Sequence, residues 1–149
     1  MTKFLLAVHV LAAIVAIGPV TVAASMFPPA ARRALAAPDD PRATGTVAVL
    51  HRICQVYGLV GVVVPVFGFA TASAMGVLGS AWLIASIVLT VLAAVVLIAL
   101  VLPRQDALVA GSGTAETTVR LAMFTGMFNV LWAVVTVLMI VRPGSTTGA

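Results

Sequence analysis

The stretch "WLIASIVLTVLAAVVLIALVL", Trp82 to Leu102, runs for 21 residues without a charged side chain. At the helical rise of about 1.5 Å per residue it spans the roughly 30 Å hydrocarbon core of a bilayer. Three further runs, Phe4 to Ala24, Ile53 to Met75 and Leu121 to Val141, have the same character and are 21 to 23 residues long. With 149 residues, 62% of them hydrophobic and 8% charged, the chain has too few charges to cover a water-facing surface. Lipid must take the place of water around most of it. The sequence therefore predicts an all-α, four-transmembrane-helix bundle forming a single integral membrane domain over 1–149, with spans at about 4–24, 53–75, 82–102 and 121–141.

The net charge of +4 reads as a topology signal rather than as a nucleic-acid footprint, so no nucleic-acid partner is expected. Arg32, Arg33, Arg42, Arg52, Arg104 and Arg120 lie on the side of the two longer linkers, against Lys3 and Arg142 on the other. The positive-inside rule puts those linkers in the cytoplasm and both termini outside. The acidic residues Asp39, Asp40, Asp106 and Glu116 share the cytoplasmic side and can pair with its arginines. One lysine against seven arginines, in a chain rich in Ala and Val, points to a GC-rich bacterial genome and a plasma membrane. The first run is longer than a signal-peptide apolar segment and reads as a retained span.

The linkers differ in kind. "FPPAARRALAAPDDPRATG" (27–45) and "PRQDALVAGSGTAETTVR" (103–120) carry the turn-forming and charged residues, whereas "GVLGS" (76–80) is a short uncharged bend. Trp82, beside that bend, suits an interfacial anchor.

Within the second span, steps of three and four residues connect His51, Cys54, Gly58, Gly61, Pro65, Gly68, Ala72 and Met75. Small residues in register let helix backbones approach closely in lipid, so this face predicts a helix contact. The first span has a matching face through His9, Ala12, Ala16, Pro19, Ala23 and Met26, and the two are expected to pack antiparallel. Pro65 and Pro19 each remove a backbone donor, leaving the carbonyls of Gly61 and Val15 to find other partners. Ser86 and Thr90 of the third span, and Thr125, Asn129 and Thr136 of the fourth, are the polar groups available for that layer.

His9 is the one ionisable side chain well inside a span, about 7 Å from the midplane by the helical rise. Such residues are functional candidates by default. It reads either as a haem or metal ligand or a proton-accepting group, or as a neutral imidazole donating to Ser86, Thr136 or a backbone carbonyl. His51 lies roughly 20 Å from it along the membrane normal, so one iron cannot bind both. His51 and Cys54 share a face, but two ligands do not close a metal site. Tyr57 reads as an interfacial or interhelical packing residue, and Arg52 is expected to reach lipid headgroups.

"FLLAVHVLAAIVAIGPV", "LHRICQVYGLVGVVVPVFGF" and "FNVLWAVVTVLMIVRPGST" together resemble a family of small integral membrane proteins of unknown function common in actinobacteria. The first stretch is also similar to the opening helix of copper-resistance D-type membrane proteins and of the haem-binding protoporphyrinogen oxidase family. That resemblance implies haem b or copper at His9; the further ligands those families use have no counterpart here.

No paired carboxylates, nucleophile with a base, phosphate-binding glycine loop or HExxH pattern is present. The expected role is a non-catalytic accessory or interaction subunit of a larger membrane complex. The alternatives are a haem or metal-binding membrane protein using His9, and an oligomeric carrier for a neutral or lipidic substrate hinged at the prolines.

Overall fold

The computed structural model describes residues 1–144, so Ala149, whose outward placement the charge pattern predicts, lies outside the described residues. The elements are α1 (Thr2–Ala36), α2 (Pro41–Val60), α3 (Val63–Met75), α4 (Ala81–Val95), a π-helical turn (Val96–Val101), α5 (Leu102–Val109) and α6 (Ala115–Val141). They form four rods, Thr2–Ala36, Pro41–Met75, Ala81–Val109 and Ala115–Val141, each long and apolar enough to cross a membrane. The chain is a multi-pass, all-α four-helix bundle.

Every rod exceeds its expected span, mainly toward the same end of the bundle. The segment 27–45, read as a linker, is mostly helix: α1 continues through Pro28 and Pro29 to Ala36, and α2 begins at Pro41. Packing overrides the prolines here. Phe27, Ala30 and Ala31 are buried against Val47, Leu50 and Cys54 of α2, which offsets the backbone bonds that Pro28 and Pro29 forfeit. The remaining turn closes tightly, with Asp40 accepting from the Arg42 backbone N–H at 2.9 Å and Pro41 in the first helical turn, where its missing donor costs nothing.

The second rod breaks at Gly61–Val62, one turn before Pro65. The Gly61 carbonyl that Pro65 leaves free accepts from the Val64 backbone N–H at 3.1 Å. A tightened backbone turn, rather than a hydroxyl or amide from another helix, satisfies it. In the third rod the π turn immediately precedes Pro103; widening the helix moves the proline ring off the carbonyl it would otherwise strike. Helix α6 opens with a capping box, in which the Thr114 hydroxyl accepts from the Thr117 backbone N–H.

Packing is uneven along the bundle. The main core, around Phe27, Cys54, Leu97, Val101, Leu121 and Phe128, lies toward the end where the two longer connections turn, here the loop end. Toward the opposite end, which carries Met1, the 76–80 bend and Arg142, the core thins to small clusters around Ala16 and Val64 and around Ala72, Trp82 and Leu83. The expected contact between the first two rods is present, since α1 packs along both α2 and α3.

Candidate functional site

Where the core thins, the four rods enclose a cavity of about 920 Å³ walled by α1, α3, α4 and α6. Its rim includes the exposed side chains of Ile14, Phe69 and Ile140, so it opens sideways toward lipid. The walls are largely apolar and carry a few polar groups, among them His9, Thr90, Thr136 and, at the mouth, Arg142. A large apolar concavity with a small number of placed polar groups is the usual form of a small-molecule site.

His9 Nδ1 lies 2.9 Å from the backbone carbonyl of Val64. A carbonyl only accepts, so Nδ1–H donates, and in the neutral imidazole the lone pair is then on Nε2. This is the backbone-carbonyl alternative expected for His9; Ser86 and Thr136 are not its partners. They donate within their own helices, to the carbonyls of Trp82 at 2.8 Å and Trp132 at 3.0 Å. The imidazole is seated against α3 at Gly68, where an added Cβ would come within 2.8 Å of His9 Cε1. Only a residue without a side chain leaves room for this ring.

Along the predicted face of the second rod, His51 and Cys54 are buried, Gly58 faces Leu97, and Gly61 faces Ile17. Pro65 departs from it: the break at Gly61–Val62 turns Val64 inward in its place, and Pro65 is exposed on the cavity rim. Pro19 is half-buried within α1. Arg52 is exposed.

Trp82 corrects its expected role as an interfacial anchor. It is 7% exposed and packs inward with Ala72 and Leu83, its indole N–H finding no hydrogen-bond partner among the described residues. Arg142 covers this ring, 5.8 Å from its centroid. Its backbone ends α6 in the left-handed region at φ 49°, and its Nε donates back to the Met139 carbonyl at 3.2 Å.

His51 and Cys54 meet a partner that the sequence reading missed. Gln105, fully buried on α5, accepts from His51 Nδ1–H at 2.9 Å and donates to Cys54 Sγ at 3.5 Å. Asp106 stands 3.7 Å from His51 Nε2 and is largely exposed. The signal was present: Val101, Gln105 and Leu108 recur at helical spacing, and all three are buried. "PRQD" read as a linker because of its proline and charges, although Pro is tolerated in the first turn of a helix.

Asn129 donates across to Ser25 Oγ at 3.0 Å rather than to a proline-freed carbonyl. Its Oδ1 has no partner among the described residues. The expected pairing of acidic residues with arginines occurs between Glu116 and Arg120, at 2.8 Å, an exposed pair of small energetic weight. Among the described residues, no three His, Cys, Asp or Glu side chains gather closely enough to hold a metal ion. No protein-family model matches this chain, and neither does any curated protein or solved structure.

Proposed function

We propose that this chain is a non-catalytic intramembrane binding protein that takes an apolar or amphiphilic molecule from the surrounding bilayer into the cavity beside His9. The observation that carries this reading is the cavity itself, about 920 Å³ with its rim on the lipid-facing surface. Among the described residues its walls hold neither a carboxylate nor a thiol, which favours holding a molecule over transforming it. Gly18 lies on the wall, and a side chain added there meets nothing within 4 Å. Gly18→Phe should therefore fill the space without disturbing the bundle. Native mass spectrometry of protein released from mild detergent is expected to show a retained lipid adduct on the wild type and its loss from Gly18→Phe. Equal adducts on the two proteins, or none on the wild type, would overturn the reading.

The tautomer of His9 favours a second reading, haem b bound through this residue. With Nδ1–H committed to the Val64 carbonyl, Nε2 is the free donor, and such a second-sphere bond is what orients ligating histidines. The structure offers no second histidine beside it, so His9 would be the sole nitrogen ligand. Purified protein would then show a Soret band that His9→Ala abolishes; a colourless wild type removes this reading.

Operation beside a partner, as a subunit of a larger assembly or as a homo-oligomer, is supported by Ser25, a polar side chain exposed on α1. Its hydroxyl accepts from Asn129 Nδ2 at 3.0 Å and keeps its own proton free at the surface of the bundle, where a neighbouring helix could accept it. The charge pattern supports residence in a bacterial plasma membrane with the loop end in the cytoplasm and both termini outside. An alkaline phosphatase fused after Ala149 is expected to be active, and one inserted after Ser112 inactive; the reverse pattern would invert the topology.

A further inference from the structure

We infer that the cavity selects an anionic phospholipid, its two acyl chains lying in the cavity and its phosphate held at the mouth by Arg142. This rests on the cavity being a lipid site and adds the identity of the lipid. The wall along α6 runs from Trp132 to Arg142, which at the helical rise is about 15 Å, half of a roughly 30 Å hydrocarbon core. The cavity is thus as deep as one leaflet. A methylene occupies about the 30 Å³ of a liquid water, so a volume of about 920 Å³ accommodates two chains rather than one.

The mouth supplies the charge. Arg142 follows Val141, the last residue of α6, which puts its guanidinium at headgroup level when the apolar span is centred in the bilayer. Among the described residues it is the only Lys or Arg lining the cavity, and no Asp or Glu lines it. Among the described residues the carboxylates within 4.0 Å of a basic side chain are Glu116, beside Arg120, and Asp106, beside His51, both toward the loop end, so no described carboxylate neutralises Arg142. The Nε–H bond to the Met139 carbonyl and the Trp82 ring beneath hold the guanidinium over the cavity, with its remaining N–H donors available to a phosphate oxygen.

The chain's two tryptophans both line this cavity, so quenching by brominated acyl chains reports occupancy directly. In Trp132→Phe protein the remaining Trp82 is 7% exposed and lines the cavity, so a chain inside the cavity quenches it more strongly than lipid surrounding the bundle. Reconstituted in phosphatidylcholine vesicles, this protein is titrated with brominated phosphatidylglycerol or with brominated phosphatidylcholine of the same chains. Half-maximal quenching should need about fivefold less phosphatidylglycerol, the factor that one cation contributes at an anionic lipid surface. Arg142→Gln should bring the two lipids to equality, and Arg142→Lys should restore most of the difference. Strong but equal quenching by both lipids in the arginine protein overturns the charge selection and leaves the lipid cavity standing. No quenching by either overturns both. A preference that persists in Arg142→Gln assigns it to other cations and overturns the role of Arg142.

Discussion

Gln105→Ala is expected to lower the unfolding free energy of the bundle by about 2 to 4 kcal/mol, read from denaturant titration in mixed micelles. The side chain is fully buried, so its removal leaves a void. It also strands the imidazole N–H of His51 and the Cys54 sulfur, which Gln105 engages from opposite sides of its amide. An orphaned buried donor costs more than the lost hydrogen bond was worth, because it is not rehydrated in exchange. The same asymmetry predicts non-additivity. Gln105→Leu keeps volume but leaves His51 unpaired, whereas the double change His51→Leu with Gln105→Leu removes donor and acceptor together and should recover most of the loss. If the double variant is as destabilised as the sum of the singles, the pair is not the coupled unit described here.

Gly68→Leu is expected to cost about 1 to 3 kcal/mol or more, while Gly18→Leu, on the same cavity wall, should lie within about 0.5 kcal/mol of wild type. The contrast follows from what each new Cβ meets: the His9 ring at 2.8 Å in the first case and nothing within 4 Å in the second. The ring cannot yield without breaking its bond to the Val64 carbonyl. His9→Ala removes the obstruction, so His9→Ala with Gly68→Leu should be more stable than Gly68→Leu alone. A Gly68→Leu protein of wild-type stability would show that the imidazole does not sit against α3. Thermal unfolding in detergent, followed by circular dichroism, measures all four proteins.

Much of this molecule was legible from its residues. Four uncharged runs of 21 to 23 residues can be satisfied in lipid only as helices, because every backbone polar group must be paired within its own segment. The small-residue face from His51 through Gly61 was legible for a related reason: without a hydrophobic force between spans, close backbone approach identifies the contact. His9 was conspicuous because an imidazole inside a span requires a partner. Which of its candidate partners it takes was not, since that depends on the relative height and rotation of two helices.

Local punctuation misled wherever packing outweighed it. Pro28, Pro29 and "PRQD" carry the marks of loops, yet Phe27 and Gln105 are buried and draw their neighbours into helix. Trp82 carries the mark of an interfacial anchor and points inward. The sequence by itself determined the number of spans, their order and the chemistry available to them. The tertiary structure alone decided that the rods pack tightly at the loop end and part at the other. It also brought Gln105 to His51, His9 to Val64 and Arg142 to the cavity mouth, because distant residues meet only through the register and tilt of whole helices, which no local pattern encodes.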